Sequence, residues 1–437
     1  MPNQRRSDIS RHMKPERHPK LAHLTEPQMQ ALIERYYAGA KTSELVAEFG
    51  IGARPSDLIK LFPPVVLDTQ CPYCAVSLWQ APRSKSASRA PQPYCPQCRH
   101  EHTEGTYRHC HCAGCRKHVA DVEAAIVAKK RELVREGYPS DEIWQNPSVD
   151  HLLGQLTLRD VVFLSALYRN AHIDREGTAG APYATERPLS PTSDLSQAML
   201  SHLARRRLVR VAATSPLDSF QFDDELTRVT AYYTFEVRYR ILPMLPIDLI
   251  GEAMHTIDVM ADDSFWHGEE QFADEALALW KELALHECLE TFVHQGQLHK
   301  LQPPTGEKTI VMFQALLDTL SVAQVYNLVW SSARNAAAYY QRGGVNKAQA
   351  SNSMVGGCRT RADKAKVEGW PIKPYGRNYE RPRSELSLVL HDVFLKIGEL
   401  GFTTAPSRAF IQSQSAGWIE PGAVAAAAAP TPTTPGP

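Results

Sequence analysis

Seven of the nine cysteines fall between Cys71 and Cys115 of a 437-residue chain. The first four form two turns of the same spacing, Cys71-Pro-Tyr-Cys74 and Cys95-Pro-Gln-Cys98, separated by twenty residues. A Cys-x-x-Cys turn presents two sulfurs to the same side of an ion, and two such turns close a tetrahedron of thiolates. That spacing predicts a structural zinc site with Cys71, Cys74, Cys95 and Cys98 as ligands. The next stretch runs Arg99-His100-Glu101-His102 and then His109-Cys110-His111-Cys112-Ala-Gly-Cys115-Arg-Lys-His118. It supplies a second ligand set, Cys110, Cys112 and Cys115, with one neighbouring histidine, His102, as fourth ligand. A cross-braced alternative pairs Cys112 and Cys115 with Cys71 and Cys74. A thiol–disulfide role would need a βαβ context around the Cys-x-x-Cys turns, and the flanking sequence has none.

The paired turns resemble those of zinc ribbons, and the resemblance implies a rigid knuckle able to face nucleic acid or protein. Cations stand around it: Arg83, Lys85, Arg89, Arg99, Arg108, Arg116 and Lys117. Residues 1–118 hold 17 Lys/Arg against 10 Asp/Glu, and residues 334–383 hold 11 against 3, although the whole chain is neutral. The compensating acidity is densest over 250–290, where Lys281 is the only Lys or Arg. Basic ends around an acidic middle suit a polyanion partner.

The elements that would position these groups can be read from periodicity. Residues 1–22 are polar and basic, and read as a disordered arm. Thr25 caps a helix with Gln28 completing its capping box and Pro27 in the first turn, followed by the stripe Met29, Leu32, Ile33, Tyr36. A second helix starts at Thr42, and a third short one runs from Pro55 to Phe62. Over residues 23–64, Ala38-Gly-Ala-Lys-Thr42 through Leu45 to Phe49-Gly-Ile51 resembles the helix-turn-helix modules of resolvases and transposases. That resemblance implies exposed Arg54, Ser56 and Lys60 on the third helix. Residues 65–120 form the zinc ribbon. Residues 121–245 read as a winged-helix-like α+β unit: helices from Thr157 and from Asp194 to Arg207, a strand at Leu208–Val211, and a second strand across Tyr232–Leu242. Arg205 and Arg206 would lie at its nucleic-acid face. Residues 246–405 read as a helical domain broken at Pro303-Pro304, closing on a helix over 385–400, and 406–437 as a disordered tail.

Within the helical domain, the basic 334–383 segment carries Arg359, Arg361, Lys364 and Arg377 among aromatic residues, as a nucleic-acid groove would. The same charges could instead pair with the acidic 250–290 helices. His286, Glu290 and His294 share a helical face at metal-ligand spacing, but the order is not that of the His-Glu-x-x-His proteases. Arg334-Asn335 followed by Tyr339 resembles the Arg-Asn-x-x-x-His motif of HEPN ribonucleases, with tyrosine in place of the histidine, and the activity is not carried over. There is no phosphate-binding Gly-Lys-Ser/Thr loop and no Gly-x-Ser-x-Gly elbow.

The expected fold class is therefore α+β, mostly α-helical and multidomain. No apolar run reaches the roughly 18 residues of a membrane span, and no apolar leader follows Met1, so a cytoplasmic location is expected, with DNA as partner. The reading is a zinc-containing, DNA-binding, non-enzymatic regulator or accessory factor of a bacterial mobile element or antiviral defence locus. Its rivals are a protein–protein adaptor using the ribbon and the acidic helices, and a nuclease with a dispersed site.

Overall fold

The computed structural model describes residues 14–102, 110–139, 148–175, 177–182, 186–262, 270–378 and 380–416. The described chain is mostly helical, with small antiparallel sheets, and divides into two compact units, Met1–Lys129 and Lys130–Pro437.

The first unit opens with α1 (Glu26–Tyr37) and α2 (Thr42–Glu48). The Thr25–Gln28 capping box forms as the sequence requires. Leu21, Leu24, Leu32, Tyr36, Leu45, Leu58 and Phe62 bury against one another. Leu21 is fully buried, so the ordered structure begins inside the expected arm; residues 1–13 lie outside the described residues. The third helix of the expected helix-turn-helix is a 3-10 helix, Pro55–Leu61. Its seven residues, between Arg54 and the Pro63-Pro64 stop, are too few for a full recognition helix. Next come β1 (Val65–Gln70) and β2 (Ser77–Gln80), antiparallel with Val66 opposite Trp79. Trp79 pairs onward with Tyr94, and Tyr94 with Glu101. One Cys-x-x-Cys turn joins β1 to β2, and the other joins Tyr94 to Glu101. The long helix α3 (Ala113–Gly137) starts on Cys112-Ala-Gly-Cys115, and the division between the units falls within it.

The second unit has one continuous core, from Val134 to Ile411. Its elements are α4 (Val149–Leu153), α5 (Leu158–Asn170), β3 (Thr178–Ala179), α6 (Ser193–Arg205), β4 (Val209–Val211), β5 (Phe220–Phe222), β6 (Val229–Tyr232) and β7 (Tyr239–Ile241). The helices α7 (Ile247–Asp262), α8 (Glu270–Leu298), α9 (Glu307–Leu317), α10 (Val322–Gln341), α11 (Lys347–Glu368), α12 (Glu385–Leu388), α13 (Leu400–Thr403) and α14 (Arg408–Ala416) follow. Residues of 121–245 and of 246–405 both contribute to this core.

Strands β3, β7 and β4 make one sheet in that order, and β5 pairs with β6 in a separate hairpin. The single strand expected over 232–242 is broken: Val237 N–H bonds to Tyr233 O in a turn, and Val237 is fully buried. Alternation through 234–240 therefore reflects a turn between two strands. The helix expected over 385–400 is α12 followed by a π-helical turn, Val389–Phe394. The expected tail contains α14, whose Ile411 is buried and whose Phe410 ring packs on Trp280; 417–437 lie outside the described residues. Among the described residues, no helix is long and apolar enough to cross a membrane.

Candidate metal centre

The two Cys-x-x-Cys turns are built alike. In the first, Cys71 N–H bonds to Val76 O at 2.8 Å and Ala75 N–H to Cys71 O at 2.9 Å. In the second, Cys95 N–H bonds to His100 O at 2.7 Å and Arg99 N–H to Cys95 O at 2.9 Å. Closing each turn requires left-handed backbone at the residue after the second cysteine, φ 54° at Ala75 and 59° at Arg99. Neither residue is glycine, so each turn carries some backbone strain.

This folding brings the sulfurs of Cys71, Cys74, Cys95 and Cys98 within 4.8 Å of one another. Metal–sulfur bonds of about 2.3 Å in a tetrahedron put the sulfurs about 3.8 Å apart. The Cys71–Cys98 sulfur separation is 3.6 Å, far beyond a disulfide bond. Burial pushes the Cys74 and Cys98 thiols up. Burial acts the same way on Cys95, but backbone N–H groups of Cys98 and Gln97 outweigh it and hold that thiol below its usual value. Burial thus opposes four thiolates side by side, and a bound cation is what would let all four ionise together.

A second group gathers His100, Cys110, Cys112 and Cys115, again with ligand atoms within 4.8 Å. His100 Nδ1 lies 3.2 Å from Cys115 Sγ and 3.9 Å from Cys112 Sγ. Cys112 Sγ accepts from Cys115 N–H at 3.3 Å, at the start of α3. Cys110 Sγ accepts from Glu101 N–H at 3.2 Å. Burial raises the Cys115 thiol to about 11, and burial lowers the His100 pKa, which keeps its ring neutral and able to donate a lone pair.

The histidine in this group is His100, where the sequence pointed to His102. Two strand residues span about 6.6 Å. The two rings are 6.5 Å apart, so His102 sits one step along the strand from the cluster. Nor is the pairing cross-braced: Cys71 and Cys74 join Cys95 and Cys98, while Cys112 and Cys115 join His100 and Cys110. His109 lies outside the described residues. Among the described residues these are the two groups with metal-binding geometry.

The cations expected to meet nucleic acid separate into two kinds. Arg54, Arg99, Arg116, Lys117 and Arg205 are exposed. Lys60 pairs with Asp57, Arg359 with Asp363, and Lys364 with Glu368, all on the surface. Arg361 lies over the Trp370 ring. Arg206 is committed to the buried Asp160. Arg377 turns inward to Glu287 at 2.8 Å and packs over Phe402, and Arg381 pairs with Glu290. The segment around 377–381 therefore pairs with the acidic α8, as the sequence allowed, and Arg377 is withdrawn from solvent.

The metal-like stripe on α8 is satisfied within the fold. His286 Nδ1 meets Thr192 Oγ1 at 2.6 Å, and His294 meets Asn378 and Arg381. Three features escaped sequence reasoning: the choice of His100, the left-handed Ala75 and Arg99, and the placement of Tyr73 described below. The first had a signal, since His100 follows Cys98 by two residues and closes its turn.

No protein-family model, curated protein or solved structure matches this chain.

Proposed function

We propose that the chain is a zinc-binding, DNA-binding protein that acts as a transcriptional regulator or as an accessory factor of a mobile element or defence locus, with zinc in a structural role. One observation carries the zinc reading: each cluster supplies four donors, all thiol or imidazole, at tetrahedral spacing. Such sets suit zinc, and four protein donors leave no open position for a substrate or an activated water. Cys71, Cys74, Cys95 and Cys98 hold one ion in a ribbon. His100, Cys110, Cys112 and Cys115 hold the other against the start of α3. When bound, zinc supplies the positive charge that keeps seven thiolates together, and so fixes the knuckles.

DNA binding is supported separately in each unit. In the first, Arg99, Arg116 and Lys117 are exposed beside the metal ligands, where they could meet phosphates. In the second, α5, β3, α6, β4 and, after the β5–β6 hairpin, β7 succeed one another, with β7 between β3 and β4 in the sheet, an order that a winged helix also has. Helix α6 stands where such folds carry their recognition helix, with Ser193, Gln197, Ser201 and Arg205 exposed. The test is binding of zinc-loaded protein to random duplex DNA at low and moderate salt, beside Cys71→Ser/Cys95→Ser and Arg205→Ala variants. The reading expects salt-sensitive binding weakened by each change. Absence of binding at low salt overturns it.

A second reading, a protein–protein adaptor, draws on α3. Val119, Val122, Ile126 and Val127 are exposed along one stripe of that helix, at 38–53%. An apolar stripe of this kind suits a protein partner. A zinc-loaded chain that ignores DNA would favour it.

A further inference from the structure

Tyr73 belongs by sequence to one cluster and by contact to the other. Its backbone lies inside the Cys71-Pro-Tyr-Cys74 turn, so the first centre fixes it. Its hydroxyl donates to Cys115 Sγ of the second cluster at 3.4 Å. Its ring stands edge-on to the His100 imidazole, with centroids 5.2 Å apart at 86°. The same ring lies on the Cys112-Ala-Gly-Cys115 turn so closely that a Cβ at Gly114 would sit 2.5 Å from Tyr73 Cγ. Gly114 is the residue that admits it.

The second turn of the first centre makes the matching contribution. His100 follows Cys98 by two residues, and its carbonyl closes the turn through Cys95 N–H. Each turn of the first centre thus sends one side chain to the second: His100 as a ligand, and Tyr73 as a donor to a ligand. Without an ion between the turns, only their backbone hydrogen bonds hold Tyr73 and His100 in place. Cys110, Cys112 and Cys115 are then three ligands within six residues whose fourth, His100, is less firmly fixed.

We propose that the two metal centres load as one coupled unit, and that Tyr73 is the positioning residue that couples them. The inference rests on both clusters holding metal. Groups that hydrogen-bond to metal ligands typically change affinity by about 10- to 100-fold. Occupancy of the first centre should tighten the second by a factor in that range, and the effect must be reciprocal.

The experiment uses the full chain, reduced and stripped of metal, titrated with cobalt(II) and followed by thiolate-to-cobalt absorption. The four-thiolate and three-thiolate–imidazole centres have distinct spectra. The wild type should take two equivalents in one cooperative transition. In Cys71→Ser/Cys95→Ser, the second centre should bind at least about 10-fold more weakly. Tyr73→Phe keeps the ring and deletes the hydroxyl; it should load both centres but shift the absorption of the three-thiolate centre and weaken it. Gly114→Ala, which displaces the ring, should weaken the coupling, leaving only the part carried by His100. Fewer than two equivalents in the wild type overturns the metal reading and the coupling with it. Two equivalents, with a second centre indifferent to loss of the first or with Tyr73→Phe spectra superimposable on wild type, overturns the coupling alone.

Discussion

Asp160 offers the sharpest test of how α6 is held. Its side chain is fully buried, at the third residue of α5. One carboxylate oxygen accepts from Thr157 N–H at 2.9 Å, completing a capping box. The other lies 2.7 Å from His202 Nε2, and Arg206 reaches both oxygens, at 3.0 Å to Oδ2 through its NH2 group. His202 lies within α6 and Arg206 caps its end, so one carboxylate ties the start of α5 to the end of the proposed recognition helix. Asp160→Ala removes a cap worth about 1 kcal/mol and charged hydrogen bonds worth about 1.5–3 kcal/mol. The stranded partners lower the cost, because His202 and Arg206 are 21% and 44% exposed and can turn to water. A loss of about 3 kcal/mol is expected.

The assay is urea unfolding followed by helical circular dichroism, with Arg206→Ala and the double variant closing a thermodynamic cycle. The single changes should be strongly non-additive. Burial works against the Asp160 carboxylate, but the Thr157 N–H, Arg206 and His202 outweigh it and hold its pKa below the ordinary 3.8. With the folded value depressed, the contribution is complete at neutral pH and fades only as pH falls below that ordinary value. A loss under about 1 kcal/mol for Asp160→Ala, or simple additivity with Arg206→Ala, would refute the reasoning.

Three further outcomes follow. Glu287, 5% exposed, accepts from Arg377 and from Ser387, so Glu287→Ala should destabilise the second unit by about 3 kcal/mol or more in urea unfolding. Ala75→Gly relieves a left-handed residue at φ 54°, and should leave metal affinity equal or higher, with a gain of at most about 1 kcal/mol by competition with a chelator. If Arg99, Arg116 and Lys117 each neutralise a phosphate, replacing all three by alanine should flatten the salt dependence of DNA binding by about 2.7 in the log–log slope, measured by titration at several salt concentrations.

What could be read from the sequence depended on how local the determinant was. The Cys-x-x-Cys turns, the capping box at Thr25, the helix start at Thr157 and the break at Pro303-Pro304 are specified by a few adjacent residues, and each forms as read. The choice between His100 and His102 rested on which residue closes the second turn, a signal present in the spacing but weaker than the cysteine pairs, since both histidines flank the same cluster. The break between β6 and β7 was hidden by an alternating pattern that a turn with a buried Val237 also satisfies. Arg377 looked like a solvent-facing cation because its partner, Glu287, is 90 residues away. The single core of the second unit was equally invisible, since apolar stripes show which faces are buried but not against what.

Two closed metal centres per chain can be counted by elemental analysis of the purified, reduced protein, with its mass measured under native conditions. Two zinc ions per chain are expected, retained through gel filtration and reduced to at most one in the Cys110→Ser/Cys115→Ser variant. A wild-type protein that folds and carries less than one zinc would contradict this expectation.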